Sequence, residues 1–236
     1  MLLTLLRKLF GLQELHPVLR KNAVLFAEFD QGRPLDEYSF TVFDTELTGL
    51  HRRKDQLIAI GAVRIEQLQI APSHCFHSHV RPDKIQPNLA TLIHRITPEQ
   101  LAQAPPLEEV LPAFVEFCGK SLLVGHFVDL DMHFLSKAAK KTLGGSLANP
   151  SIDTMRLARR YQEAGSKDFY GSTDQSMPCN LDALTESFNL PRFKPHDALE
   201  DALQTAYLFL YLVKKFRQGG IATLKDLYRA GRSGRL

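Results

Sequence analysis

Apolar and polar positions change rhythm along this chain. In residues 1–36, Leu2, Leu3, Leu6 and Phe10 recur at helical spacing, and the polar "FDQGRPLDEY" follows, which predicts one or two helices. From Ser39 the rhythm becomes that of strands. "SFTVFD", "LIAIGAVRIEQ" and "SHCFHSHVRP" are rich in β-branched and aromatic residues and are separated by turns, as in an antiparallel meander. Helical signals then take over. Thr97 is a good N-cap, Pro98 suits the first helical position and Gln100 completes a capping box. "PLEEVLPAFVEFCG" reads as a helix ending at Gly119.

"SLLVGH" is an almost continuous apolar run, as in a strand buried on both faces. "DMHFLSKAAKKTLG" predicts a helix, and "SIDTMRLARRYQEA" a strand end running into another. Residues 165–179 form a polar loop, and "NLDALTESFNL" a helix capped by Asn180. "DALEDALQTAYLFLYLVKKFRQGG" is a long amphipathic helix, and "ATLKDLYRA" a short one before a basic tail. Three consecutive strands followed by mixed α and β segments predict an α/β fold, a mixed sheet with helices packed on it. The expected division is a helical N-terminal extension at 1–36, a main domain at 37–216, and a short helix with basic tail at 217–236.

Composition narrows the class. The 236 residues are 44% hydrophobic and 23% charged, ordinary for one large soluble domain. The net charge of +3 permits an anionic partner without demanding one. Cys75, Cys118 and Cys179 are far apart and odd in number, so a disulfide framework is not expected and a cytoplasmic setting is the simplest. Arg7 and Lys8 interrupt the apolar N-terminus, and no run approaches the roughly 20 apolar residues of a membrane span. No membrane partner is therefore expected.

The candidate chemistry is carboxylate-based. Asp44 and Glu46 end an apolar strand and, two residues apart, point to one side of it. Paired carboxylates repel unless solvated or shared by a cation, and oxygen-only ligation suits Mg²⁺ or Mn²⁺. Asp-x-Glu alone is common and reads equally as a solvated turn. Here it is accompanied. "VGHFVDLDMHFL" places Asp129 and Asp131 where a buried strand gives way to a helix. "KPHDALEDALQTAYLFL" places His196 and Asp201 at the opening of the long helix, with Asp201 beside its core face. Separately, each reads as less: Asp201 as an acid favoured by the helix dipole, His196 as a capping or surface histidine. Cys75, His77 and His79 share a strand face at steps of roughly 6.6 Å, too wide for one zinc ion, and read as strand surface. His126 and His133 read as local hydrogen-bonding groups.

In this order the three segments resemble the DEDDh exonucleases, the DnaQ-like family of 3′–5′ exonucleases that includes the proofreading subunits of bacterial replicative polymerases. "FDTELTGL" matches the first motif with Asp44 and Glu46, "VGHFVDLDMHFL" the second with Asp131, and His-x₄-Asp the third with His196 and Asp201. "IHRIT" at 93–97, "SIDTMRLAR" at 151–159 and "NLDALTESFNL" are lesser similarities, so the resemblance covers most of the chain. The family usually carries Asn after the second-motif histidine, where this chain has Phe127. Asp131 fits the family spacing, which leaves Asp129 as a solvated neighbour.

The resemblance implies an RNase H-like mixed five-stranded sheet with helices on both faces. It also implies phosphodiester hydrolysis with two divalent cations, Mg²⁺ or Mn²⁺. Asp44 would bridge them, Glu46 and Asp201 would complete the shell of the first ion, and Asp131 would hold the second ion, directly or through water. His196 would be the general base that takes a proton from the attacking water, a task its ordinary pKa of about 6.5 suits. Thr45, Leu47 and Thr48 would line the 3′ terminus, with Leu50 or His51 wedged against the terminal base. The basic residues 51–54 and Lys194 would meet phosphates or simply be solvated. The implied partners are single-stranded or frayed 3′ ends of DNA, a nucleoside 5′-monophosphate product and a polymerase subunit. An RNA-trimming enzyme of the same family is the alternative substrate reading. A family fold that has lost activity and serves as a nucleic-acid or polymerase adaptor is the alternative outside the enzyme class.

Overall fold

The computed structural model describes residues 14–85, 89–165 and 179–231. The expected helix at Leu2–Phe10, most of the loop 165–179 and the end of the basic tail lie outside the described residues. Helix α1 (Pro17–Leu25) comes first. Strands β1 (Phe40–Leu47), β2 (Leu57–Glu66) and β3 (Gln69–His79) form the meander, and helices α2 (Leu89–His94), α3 (Pro98–Gln103) and α4 (Leu107–Cys118) follow. The chain continues through β4 (Leu122–Gly125), α5 (Asp129–Thr142), β5 (Ser151–Asp153) and α6 (Thr154–Gly165), then α7 (Leu181–Ser187), α8 (Ala198–Gln218) and α9 (Leu224–Gly231).

The sheet order is β3-β2-β1-β4-β5. β1 pairs antiparallel with β2 and parallel with β4, β2 is antiparallel to β3, and β4 is parallel to β5. This is the mixed five-stranded sheet the resemblance implied. β1 is central because alternation gives it two apolar faces. Phe40 and Val42 join the cluster under α8, where the Phe40 and Phe209 rings lie 5.0 Å apart. Phe43 and Leu47 join the opposite cluster with α4, α5 and α1, where Phe43 meets Phe114 at 5.9 Å. The parity of β1 therefore turns Asp44 and Glu46 toward the α8 face and Thr45 toward the α5 face.

Both ends of the described chain join these cores. Val18 and Leu19 of α1 are buried in one, Leu224 and Leu227 of α9 in the other. Several boundaries differ from the expected ones. β3 starts at Gln69 rather than at the expected Ser73–His74, because Gln67 and Leu68 form a two-residue turn with φ of 51° and 57°. α5 starts at Asp129, since Val128 already has helical angles, so Asp129 and Asp131 share its first turn. The short α2 had no periodic signal. The capping box at Thr97 and the left-handed stop at Gly119 are as expected. Among the described residues no helix is long and apolar enough to cross a membrane, and no disulfide joins the cysteines.

Candidate active site

The carboxyl ends of the parallel strands β1, β4 and β5 share one edge of the sheet, the edge at which open α/β sheets bind ligands. There Asp44 and Glu46 of β1 meet Asp201 from the first turn of α8. One carboxylate oxygen of each lies within 4.8 Å of the others. Gly61 permits this approach. It pairs with Asp44 across β1–β2, and a Cβ on it would lie 2.1 Å from the Ala198 carbonyl carbon and 2.2 Å from the Leu199 nitrogen. Only a glycine lets α8 begin on top of β2 at this point.

The start of α8 is fixed by its own polar groups. Asp197 is the N-cap, accepting from the Leu199 and Glu200 amides at 3.2 and 3.3 Å. The His196 amide donates to Asp201 Oδ2 at 3.0 Å, with His196 at φ +63° and its side chain exposed. Asp131 arrives from the other face of the sheet. It is buried in the first turn of α5 and accepts a hydrogen bond from the Thr45 hydroxyl. Asp131 stands outside the three-carboxylate group but close enough that its charge acts on Asp44 and Glu46.

The electrostatics are those of a buried acidic cluster. Burial, then the charges of Asp131, Asp201 and Glu46, raise the Asp44 carboxyl well above the usual carboxylate range. Burial and the charge of Asp201 push Glu46 up to about 8. Burial raises Asp131 to about 7 against the opposing bond from Thr45, and Asp201 to about 6 against the His196 amide. Among the described residues no Lys or Arg forms an ion pair with any of the four. Buried like charges of this kind are relieved by protons or by a cation, and an all-carboxylate donor set fits a hard divalent ion.

The other expected site residues are distributed around this cluster. Leu47 is buried, Leu50 is 74% exposed and His51 is exposed. The Thr48 hydroxyl is taken up by Asp55 Oδ1 at 2.9 Å, and Asp55 Oδ2 accepts the His51 amide at 2.7 Å. Lys137 Nζ donates to the carbonyls of Arg52, Arg53 and Asp55 at 3.1, 3.0 and 2.8 Å. The basic loop after the first motif is thereby held from below while Arg52, Arg53 and Lys54 stay exposed. Asp129 is exposed and pairs with Arg156. His126 bridges Thr154 Oγ1 and the Cys179 carbonyl at 2.9 and 2.8 Å, and burial depresses it to about 4. His77 and His79 lie in register with Gly61 and Ala59, hence with Asp44 and Glu46, two strands away on the same face.

Sequence reasoning gave no role to Asp153. It is buried at the end of β5 and accepts the amides of Phe127 and Met155 at 3.1 and 2.9 Å, so it fixes the turn that delivers Asp131. An acid at a strand end just before a helix was the signal available for it. The Thr45–Asp131 bond and the Lys137 clamp are long-range contacts with no sequence signal.

Comparison with known proteins gives a consistent result. The RNase T family model, described as an exonuclease, matches residues 41–209. "DNA polymerase III subunit epsilon" of Aquifex aeolicus is 35% identical over 193 residues, covering 80% of this chain and 89% of that protein. "DNA polymerase III PolC-type" of Thermotoga petrophila is 31% identical over 227 residues, covering 94% of this chain. The chain spans only 15% of that relative's length. Among solved structures, exonuclease X in complex with 5′ overhanging duplex DNA superposes with a TM-score of 0.59 at 24% identity, covering 81% of this chain and 99% of that one. Exonuclease I superposes with a TM-score of 0.63 at 19% identity, covering 75% of this chain and 41% of that one. At those identities the two structures speak for the fold.

Proposed function

The chain belongs to the exonuclease family whose model covers residues 41–209, and from that premise we propose that it is a metal-dependent 3′–5′ exonuclease acting on DNA. The observation that carries this reading is the convergence of Asp44, Glu46 and Asp201 within 4.8 Å, with no Lys or Arg ion-paired to them among the described residues. These three, with Asp131, would hold two divalent ions, Mg²⁺ or Mn²⁺. When bound, such ions stabilise charge on the attacking and leaving oxygens of an in-line displacement.

The chain's own residues supply the rest. His196, exposed at the mouth of the cluster, takes a proton from the attacking water. The hydrogen bond that the His196 backbone amide donates to Asp201 fixes the turn that carries the imidazole. Thr45 orients Asp131 through its hydroxyl. The backbone of Thr45 and Leu47 and the Thr48 turn line the 3′ terminus, and Leu50 or His51 abuts the terminal base. A phosphorus–oxygen bond forms to water, the bond to the upstream 3′-oxygen breaks, and that oxygen gains a proton. A nucleoside 5′-monophosphate leaves a strand one residue shorter.

DNA is favoured over RNA because the relatives are named as DNA polymerase III components. Those names also motivate a polymerase partner in a cytoplasmic setting. The test is release of 5′-monophosphates from single-stranded DNA in Mn²⁺, with D44A as control and a matched RNA oligomer alongside. Degradation without metal, or activity surviving in D44A, refutes the mechanism. Faster trimming of the RNA refutes the substrate assignment.

A further inference from the structure

Phe127 departs from its surroundings in two respects. Its φ is +55°, in the left-handed region that bulky side chains avoid. Its side chain is 48% exposed, although the residues on either side are half-buried or buried. The backbone conformation has local causes. Asp153 holds the Phe127 amide at 3.1 Å, and Gly125 has no room for a Cβ, which would meet Val128 Cγ2 at 2.8 Å. Neither cause requires an aromatic ring, and asparagine accepts the same backbone at lower cost. The ring meets His126 in a T-shaped pair, centroids 4.9 Å apart, and about half of the residue stays exposed.

Its location gives the ring a use. Phe127 follows the carboxyl end of β4, the parallel neighbour of β1, and opens the turn that carries Asp131. It therefore stands on the sheet edge that presents Asp44 and Glu46. An exposed aromatic face beside a site that grips a nucleic-acid backbone is a platform for a nucleobase, because every base has a π-face to offer. We infer that Phe127 is a substrate-stacking residue that takes the face of an unpaired base near the 3′ end. A base stacked there has left its duplex partner, so the residue biases the site toward single-stranded or frayed ends. This inference rests on the exonuclease reading for the identity of the ligand.

The experiment is binding of a single-stranded DNA oligomer carrying 2-aminopurine at either of its two 3′-terminal positions, in EDTA so that metal-dependent hydrolysis does not intervene. Wild type and F127Y are expected to quench the fluorophore by stacking. F127A and F127N are expected to lose the quench and to bind about 5- to 100-fold more weakly, the range for one base–aromatic stack. F127N guards against misfolding, since asparagine suits the left-handed backbone and its melting temperature should equal or exceed that of wild type. Quenching and affinity in F127A or F127N equal to wild type would overturn the inference. Wild-type release of 5′-monophosphates in Mn²⁺ is measured in parallel. A wild type that binds and quenches but releases nothing keeps the stacking role and refutes hydrolysis. One that hydrolyses while F127A quenches like wild type refutes stacking alone.

Discussion

Replacing Gly61 with alanine isolates what the close approach of α8 contributes. The new Cβ would sit 2.1 Å from the Ala198 carbonyl carbon and 2.3 Å from its oxygen, whereas non-bonded carbons rest at about 3.5 Å or more. The obstacle is backbone, so no rotamer change relieves it. Either the helix start recedes by about 1.4 Å or β2 does, and β2 carries the residue paired with Asp44. Asp201 lies in the first turn of α8, so its carboxylate moves with the helix start. Misplacement by about 1 Å costs on the order of 100-fold in rate, and Mg²⁺ tolerates little distortion of its ligand shell. G61A is therefore expected to lose about 100-fold in kcat/KM on single-stranded DNA. Overpacking of about 1–3 kcal/mol should lower Tm by about 2–12 °C. A198G should not rescue it, because the clash is with main chain. A G61A protein with kcat/KM within about threefold of wild type and Tm within about 1 °C would refute this account.

Four further outcomes follow from the carboxylates and the loop. Glu46 and Asp131 have folded-state values raised to about 8 and about 7, above their unfolded values, so the metal-free fold binds more protons than the unfolded chain; Tm in EDTA should fall as pH rises from about 5 to 8, and Mn²⁺ should abolish that fall. D44N removes a buried carboxyl whose ionisation its burial and neighbours oppose and should raise Tm in EDTA at pH 8 by a few degrees while eliminating nuclease activity, as read by parallel thermal melts and product analysis. T45V deletes the bond that lowers the Asp131 pKa, so the acid limb of the pH–rate profile should move to higher pH. K137M takes the lysine donor from three loop carbonyls, leaving His133 on that of Arg52; it should cost about 1–2 kcal/mol in urea denaturation and speed amide exchange across residues 51–55.

Much of this architecture is legible in the sequence because local signals and tertiary need coincide. β1 and β4 announce themselves as apolar runs since both of their faces are covered. Thr97, Gly119 and Asn180 end or start helices where their side chains or φ angles require it. That Asp44, Glu46 and Asp201 belong together was legible for a different reason: with the segment of Asp131, their two segments resemble the motifs of the DEDDh exonucleases, whereas each acid alone reads as a solvated turn or helix-dipole residue. Other features left no local trace. Gly61 looks like an ordinary glycine in an apolar run, since its meaning lies in a helix that begins 137 residues later. α2 has six residues and no periodicity. Lys137 reads as one lysine among several on α5, and only the folded loop turns it into a donor for three carbonyls.

The way the acidic cluster is assembled also bears on when it can exist. Asp44 and Glu46 are made early, on the strand that seeds the meander, while Asp201 belongs to a helix whose last residue is Gln218. A nascent chain that ends before α8 contains β1, β2 and β3 yet carries only part of the carboxylate group. Completion waits until α8 emerges and docks over Gly61. The same step that buries Phe209 against Phe40 also closes the cluster, so the three-carboxylate group appears together with the finished core and a truncated product would have neither.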